Sequence, residues 1–159
     1  MINDALLQFS GGYNPTSGQS LIAGPSTITS TNVIDTAGVG FGNTARDLGQ
    51  GHSLEIMVEV IQAFVGGTSV QIQLVCADDA AISANVTPIV IDVAIPTASL
   101  TAGALIPIHW DRVQPFIARR YIALQYIILG TFTAGSVNSF VVTSVQEDRK
   151  STRLNSSHP

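Results

Sequence analysis

The sequence predicts an all-β protein: a single antiparallel β-sandwich, jelly-roll-like, with an extended N-terminal arm. Three observations support this fold class. Apolar and polar residues alternate in short runs, as in strands that bury one face. Glycine and proline separate these runs, and no segment keeps an apolar period of 3.6 residues over three turns. About seven short strands with such punctuation are typical of sandwiches and jelly rolls.

Residues 1–30 are predicted to form the N-terminal arm. Between Ser10 and Ser30, fifteen of twenty-one residues are Gly, Pro, Ser, Thr or Asn. This composition disfavours both helices and regular strands. Two interpretations stay open, namely an extended arm that lies over a surface and a plain mobile N-terminus.

Residues 31–147 are predicted to form the sandwich domain. Its clearest strands are Leu54–Phe64 and Ser69–Cys76, which are apolar at every second position. The glycine pair 66–67 between them indicates a tight turn, so the two strands are predicted to pair as a hairpin. Gln62 interrupts the apolar alternation, which predicts a bulge or a bend at that point.

Five further strands complete the predicted sandwich. Prolines bracket one of them, and Pro107 lies inside another, which is therefore placed at a sheet edge. The segment Arg120–Leu129 is apolar on both faces, so both faces are expected to be covered. In a protein of two sheets, a subunit contact can cover the second face. The five segments are Thr31–Asp35, Ile89–Ile95, Ala104–Trp110, Arg120–Leu129 and Asn138–Gln146.

Residues 148–159 are predicted not to be native. The first 147 residues contain four arginines and no lysine, whereas the tail holds Arg149, Lys150 and Arg153. The string DRKSTRLNSSH, from Asp148 to His158, matches the translation of a widely used sequencing adapter. We interpret the tail as read-through of the open reading frame into adapter sequence and exclude it from the fold.

The low charge content narrows the classes of function. Charged residues make up 11% of the chain, against roughly 25% in a typical soluble domain. Either other subunits cover much of the surface, or the protein is associated with a membrane. The apolar runs are far shorter than the roughly 18 residues of a spanning helix. The N-terminus lacks the features of a secretory signal, so we expect synthesis in the cytoplasm and no membrane partner.

Nucleic acid is not an expected partner. Without the tail, four Lys and Arg residues stand against ten Asp and Glu residues, which gives a formal net charge of −6. Such a chain has no patch of cations to neutralise phosphates.

The residues predict no enzyme, no cofactor, no metal site and no small-molecule substrate. Outside the tail the histidines are His52 and His109, and neither lies in a catalytic or metal-binding motif. Cys76 is the single cysteine, which excludes an internal disulfide and a zinc site of the cysteine-pair type. Asp78 and Asp79 are interpreted as solvated turn residues, because the alternative, a metal site, lacks a third ligand nearby.

A contact with another protein subunit is predicted near the end of the sandwich domain. Arginine and aromatic residues are the typical anchors of protein interfaces, and several of them cluster between positions 110 and 121. Ordinary solvated arginines above a loop are the alternative interpretation. The candidate interface residues are Trp110, Arg112, Phe116, Arg119 and Tyr121, together with Tyr13 of the N-terminal arm.

Several segments of the chain, taken in order, carry a family resemblance. They are INDALLQFS (2–10), STNVID (30–35), RDLGQG (46–51), VGGTSVQIQL (65–74), AIPTASLTAGALIPI (94–108), RRYIALQY (119–126) and GTFTAGSV (130–137). In this order they resemble the capsid cement proteins of short-tailed phages of the Bordetella-phage type. The resemblance covers nearly all of residues 1–147 and departs from the family in the longer Ser10–Ser30 stretch.

The resemblance implies a jelly-roll-like sandwich that forms a homodimer on the outside of an icosahedral phage head. It implies that the partner is the major capsid protein, whose neighbouring subunits the sandwich would cement after the shell expands. The family has no catalytic residues. The competing class is a virion-attached sandwich that binds a host receptor or glycan. An aromatic platform is expected in that class, and one Trp and three Tyr weigh against it.

Overall fold

The structure is a computed structural model. It describes residues 7–12, 17–36, 54–110 and 119–142, with the backbone alone at Leu54 and Trp110. The described strands are β1 Gln8–Ser10, β2 Gln19–Ser20, β3 Ser26–Thr29, β4 Ile34–Asp35, β5 Leu54–Gly66, β6 Ser69–Ala77, β7 Thr87–Ile91, β8 Ile95–Pro96, β9 Leu105–Trp110, β10 Tyr121–Leu129 and β11 Phe132–Val142. A 3₁₀ turn, Thr97–Ser99, follows β8.

The strands form two antiparallel sheets. The first sheet has the order β1-β11-β5-β9, with β2 also pairing with β11. The second has the order β3-β10-β6-β7, with β4 pairing with β10 and β8 with β6. When β3–β4 and β7–β8 each count as one interrupted strand and β2 is set aside, the orders are 1-8-3-6 and 2-7-4-5. This arrangement is the jelly roll, and the prediction of an all-β sandwich is confirmed.

The hydrophobic core lies between the two sheets. Ile56, Val58 and Val60 on β5 and Ile72 and Leu74 on β6 are fully or almost fully buried. They occupy alternate positions, as the sequence pattern predicts for strands with one inward face. The alternation therefore identifies correctly which residues of these two strands face the core.

The predicted pairing of β5 with β6 is wrong. The glycine pair 66–67 carries the chain from the first sheet to the second, so β5 pairs with β11 and β9, while β6 pairs with β10, β7 and β8. The apolar sides of β5 and β6 face each other across the core instead of sharing one side of one sheet. An alternating pattern fits both arrangements, because it defines the buried face and not the neighbouring strand.

Two connections between the sheets, which we call crossovers, lie side by side at one end of the sandwich. The first joins β5 to β6 through the glycine pair 66–67, and the second joins β10 to β11 at Gly130. The N–H of Gly67 donates to the Thr131 carbonyl and the N–H of Thr68 donates to the Leu129 carbonyl, both at 2.7 Å. Gly130 has φ +85°, and a Cβ there would lie 2.7 Å from the Thr68 nitrogen. The crossovers thus pack against each other where only glycine fits.

A bulge occurs in β5 as predicted. Gln62 lies opposite Ser136 of β11, while Val60 lies opposite the next residue, Val137. Ile61 is therefore an extra residue on β5, and the strand bends around the core at this point.

The described part of residues 1–30 differs from the predicted extended arm. β1 and β2 are edge strands of the first sheet and β3 is an edge strand of the second. Phe9 and Leu21 are completely buried in the core. These residues therefore belong to the sandwich itself. Strands of two to four residues escape a pattern search, because they are too short to show a period.

The bounds of several other strands also differ from the predicted ones. The predicted strand Ile89–Ile95 is interrupted after Ile91, and both bracketing prolines lie within β7 or β8 at an edge of the second sheet. β9 contains Pro107 and is an edge strand, as predicted. β4 is shorter than Thr31–Asp35, and β11 begins at Phe132, earlier than predicted. Residues 143–146 of the predicted last strand lie outside the described residues.

Buried hydroxyl groups connect the two sheets. The Tyr126 hydroxyl on β10 lies 2.7 Å from Ser10 Oγ on β1 and 3.0 Å from Ser139 Oγ on β11. All three residues are completely buried. Burial raises the pKa of Tyr126 to about 12, although both serine hydrogen bonds act in the opposite direction.

The described residues include no helix long and apolar enough to cross a membrane.

Candidate protein interface

Two of the six predicted interface residues, Arg119 and Tyr121, have described side chains. Of Trp110 only the backbone is described, opposite Leu54 in the first sheet. Tyr121 is the first residue of β10 in the second sheet, and Arg119 lies two residues before it, at the same end of the sandwich. Tyr13, Arg112 and Phe116 lie outside the described residues.

Arg119 is bound by a carboxylate of its own chain. Its Nη1 donates to both carboxylate oxygens of Asp78, at 2.7 and 2.6 Å. The Asn85 side chain donates to the same carboxylate, and these two donors, Asn85 first, hold the pKa of Asp78 below its usual value. The Arg119 charge is therefore already compensated within the subunit, which reduces its value for attracting a partner.

Arg120 makes a second ion pair at this end. Its Nε and Nη2 donate to the two carboxylate oxygens of Asp35, each at 2.9 Å. The hydrogen bonds to Asp35 raise the pKa of Arg120, and its guanidinium lies 5.0 Å from the ring centre of Tyr121. The backbone N–H and the hydroxyl of Thr36 both donate to the Arg120 carbonyl. This network fixes β4 against the start of β10.

Tyr121 has a structural role in the second sheet. It packs against a small hydrophobic cluster on the outer face of that sheet, formed by Val75, Ala77, Ile82 and Ala123. Ile82 comes from the loop between β6 and β7 and has φ +53°, an unusual conformation for a β-branched residue. The second face of β10 is therefore covered at this end by the chain's own loop.

The loop between β6 and β7 is held in shape by Asp79. This carboxylate accepts hydrogen bonds from the hydroxyl and N–H of Ser83 and from the N–H of Ala84. These donors lower the pKa of Asp79 to about 2, with the Ser83 hydroxyl contributing most. The expectation that the two aspartates serve a turn agrees with this geometry. Within the described part of the chain, no three potential metal ligands come together.

The outer face of the first sheet carries acidic groups, and we call it the acidic face. Glu55 and Glu59 on β5 lie opposite His109 and Leu105 of β9. The Glu55 carboxylate lies 3.3 Å from His109 Nδ1. Met57 stands between the two glutamates. Covering this face would remove two carboxylates from water, which is costly without cations on the partner.

The outer face of the second sheet carries no charged side chain in its half nearer the crossovers, as far as the structure describes it. We call this surface the glutamine face. Gln73 and Gln125 lie opposite each other, and Gln73 Nε2 donates to Gln125 Oε1 at 2.9 Å. The glutamine face consists of Thr27, Thr29, Gln71, Gln73, Ile91, Gln125, Ile127 and Leu129.

Sequence analysis did not identify the glutamine face. Its residues alternate with core residues in the segments VQIQL and ALQY, so each strand alone predicts that they point outward. Their assembly into one surface depends on the pairing of β6 with β10, which the sequence did not predict. The signal in the sequence was that glutamines point outward on both strands; it becomes visible only when β6 and β10 are placed side by side.

The strand order defines the protein as an eight-stranded jelly roll. Jelly rolls of eight strands are found in viral capsid proteins, lectins and cupins, and the described residues bring together no metal-ligand cluster. The family model Bbp16 matches residues 17–141. The chain therefore belongs to the Bbp16 family, whose name denotes a Bordetella bacteriophage protein. No curated protein matches the chain.

Proposed function

We propose that this chain is a structural virion protein that binds the outer surface of a tailed-phage head and cements neighbouring major capsid subunits. It would act as a homodimer, without catalysis, cofactor or small-molecule substrate. Membership of a Bordetella bacteriophage protein family is the observation that carries the proposal.

The surface chemistry supports an assembly role. Two of the chain's four arginines outside the tail, Arg119 and Arg120, are paired with carboxylates of the same subunit. Large aliphatic side chains stand exposed elsewhere, among them Ile91, Val93 and Leu129. A surface of this kind favours association with protein, because its burial removes apolar area from water and few charges.

The aromatic residues weigh against the alternative, a virion-attached module that binds a receptor or glycan. Phe9, Phe64, Tyr126 and Phe132 are buried, and no aromatic residue described with its side chain is exposed. Sugar-binding surfaces rely on exposed rings as stacking platforms. The jelly roll itself favours neither function, because it serves in both capsid proteins and lectins.

Co-sedimentation of the full chain with heads assembled from the phage's major capsid protein tests the proposal. Saturable binding in fixed proportion to capsid protein, with a raised melting temperature of the heads, is the expected result. Absence of binding to expanded heads, together with specific binding on a glycan array, would instead establish the alternative.

A further inference from the structure

We infer that the glutamine face is the surface through which this chain contacts the phage head, and that it meets an electroneutral surface of the major capsid protein. The inference rests on the proposed function and adds to it the contact face and the chemistry of the partner. Four features of the described residues support it: the closed sheet edges, the distribution of charge, the oriented amides and the exposed aliphatic side chains.

The first sheet does not offer β9 as an edge for strand addition. The Val60 N–H donates to the Ala104 carbonyl at 2.9 Å. In an antiparallel ladder the hydrogen-bonding direction alternates from residue to residue, so Leu105, Pro107 and His109 direct their backbone groups away from β5. Pro107 has no N–H to donate there, which is how natural proteins block an exposed edge.

The β3 edge of the second sheet is occupied by a side chain. Gln19 of β2 donates its Nε2 to the Thr29 carbonyl at 2.8 Å and accepts from the Thr31 N–H at 2.9 Å. The Gln19 amide thus makes the two backbone hydrogen bonds that an added strand would otherwise make at this point. The opposite edge of this sheet is interrupted and contains Pro88 and Pro96. At the edges formed by β9, β3 and β7–β8, a partner therefore gains more by covering a face than by extending a sheet.

Charge distinguishes the two faces. The acidic face would bring Glu55 and Glu59 into any contact, and Asp35 and Asp78 are engaged at the end of the sandwich. None of the eight residues of the glutamine face is charged, so covering them removes no ion from water; the nearest carboxylate, that of Asp92, lies at the rim between Ile91 and Val93 and accepts a hydrogen bond from the Val93 N–H. The occupant of the glutamine face must also be uncharged at the contact, because a charge facing this surface would be buried without a counter-ion.

The glutamine amides are already oriented for hydrogen bonding. The Gln73–Gln125 hydrogen bond uses one N–H of Gln73 and the Oε1 of Gln125, which leaves Gln73 Oε1 as an acceptor and the Gln125 NH₂ group as a donor for a partner. Gln71 is fixed by a 2.9 Å hydrogen bond from its Nε2 to the Asp92 carbonyl, so its Oε1 also stays available. Side chains held in this way lose little freedom on binding. They match the backbone or side-chain amides of a neutral protein surface.

Exposed aliphatic side chains lie on or beside the same face. Ile91 is 58% exposed and Leu129 56% exposed, and Val93, two residues beyond Ile91, is 78% exposed. Their burial would supply the free energy of association, while the glutamines define the register of the contact.

Near-isosteric charge insertion tests this inference. Gln125→Glu places a charge in the centre of the glutamine face with almost no change in shape, and Ile91→Ser removes exposed apolar area without touching the core. Glu59→Gln is the control on the acidic face, since it is the reverse exchange of the same two side chains and changes the charge by one unit in the opposite direction. Circular dichroism and thermal melting of each variant verify the fold before binding to heads is measured.

We expect Gln125→Glu and Ile91→Ser to weaken binding to heads by about tenfold or more, while Glu59→Gln stays within about twofold of the unmodified chain. Binding by the unmodified chain should change little between low and high salt, because no charges meet at the contact. Folded Gln125→Glu and Ile91→Ser that bind normally would overturn the inference and leave the cement function standing. Failure of the unmodified chain to bind would overturn both.

Discussion

Arg120 and Asp35, which are 85 residues apart in the chain, form a two-pronged ion pair with both nitrogen–oxygen distances at 2.9 Å. The pair joins β4 to the residue immediately before β10. Parallel hydrogen bonds of this kind fix geometry as well as charge, because a guanidinium and a carboxylate are both planar. The described contacts of Arg119 and Tyr121 at this end of the sandwich also lie within the subunit. The intermolecular role that the sequence predicts for these two residues stays a prediction.

Asp35→Asn should lower the melting temperature, and the loss should be larger at low salt. The amide keeps the shape of the carboxylate but removes the charge from a partly exposed pair, whose strength is screened by salt. Thermal unfolding at about 0.02 M and about 1 M NaCl measures the effect, since the screening length falls to about 3 Å at 1 M. Glu59→Gln serves as a charge-matched control. An equal loss at both salt concentrations would contradict an electrostatic contribution.

The alternation of apolar and polar residues predicts which side chains of each long strand face the core. Val58 and Leu74, for example, are buried where alternation places them. The alternation does not predict which other strand lies next to each strand in the sheet. The glycine pair 66–67 satisfies a hairpin and a crossover equally well, and the choice depends on β10 and β11, which follow more than forty residues later. Long-range pairing of this kind decides jelly-roll topology.

In the candidate interface, too, the sequence predicts single residues but not the residues they contact. Composition identified Arg119 as an unusual residue in a chain poor in cations, but its partner Asp78 lies 41 residues away in sequence. The glutamine face likewise combines β6 and β10, so no single segment reveals it. Phe9 and Leu21 fall within residues 1–30, which were predicted to form an arm from the composition of Ser10–Ser30, although both side chains are buried in the core.

Tyr126→Phe should destabilise the protein by about 1–3 kcal/mol, because it leaves the buried Ser10 and Ser139 hydroxyls without their shared partner. Urea unfolding of the single variant gives this value. The double variant Tyr126→Phe with Ser139→Ala should lose less than the sum of the two single changes. Strict additivity would show that the hydroxyls do not act as one network.

The protein should lose stability as the pH rises above about 10, the ordinary tyrosine pKa. The pKa of Tyr126 is raised to about 12 in the folded chain, so the unfolded chain ionises first and binds fewer protons. Stability from this group is thus complete below about pH 10 and lost as the pH approaches 12. The loss should reach about 1 kcal/mol by pH 11, measured by urea unfolding. Tyr126→Phe should show a smaller decline, and an unchanged decline would assign it to other groups.

Gly130→Ala should unfold the protein more readily than the same change at Gly103. Both glycines have similar backbone angles, φ +85° and +83°, so both alanines suffer a comparable conformational strain of about 1 kcal/mol. At Gly103 nothing lies within 4 Å of the added Cβ, whereas at Gly130 the Cβ would meet the Thr68 nitrogen at 2.7 Å and the Gly67 Cα at 2.9 Å. The two crossovers would then have to move apart, and the hydrogen bonds between them would be lost. We therefore expect a loss of about 2 kcal/mol or more at Gly130 in urea unfolding. Equal losses at the two positions would mean that the crossovers do not support each other.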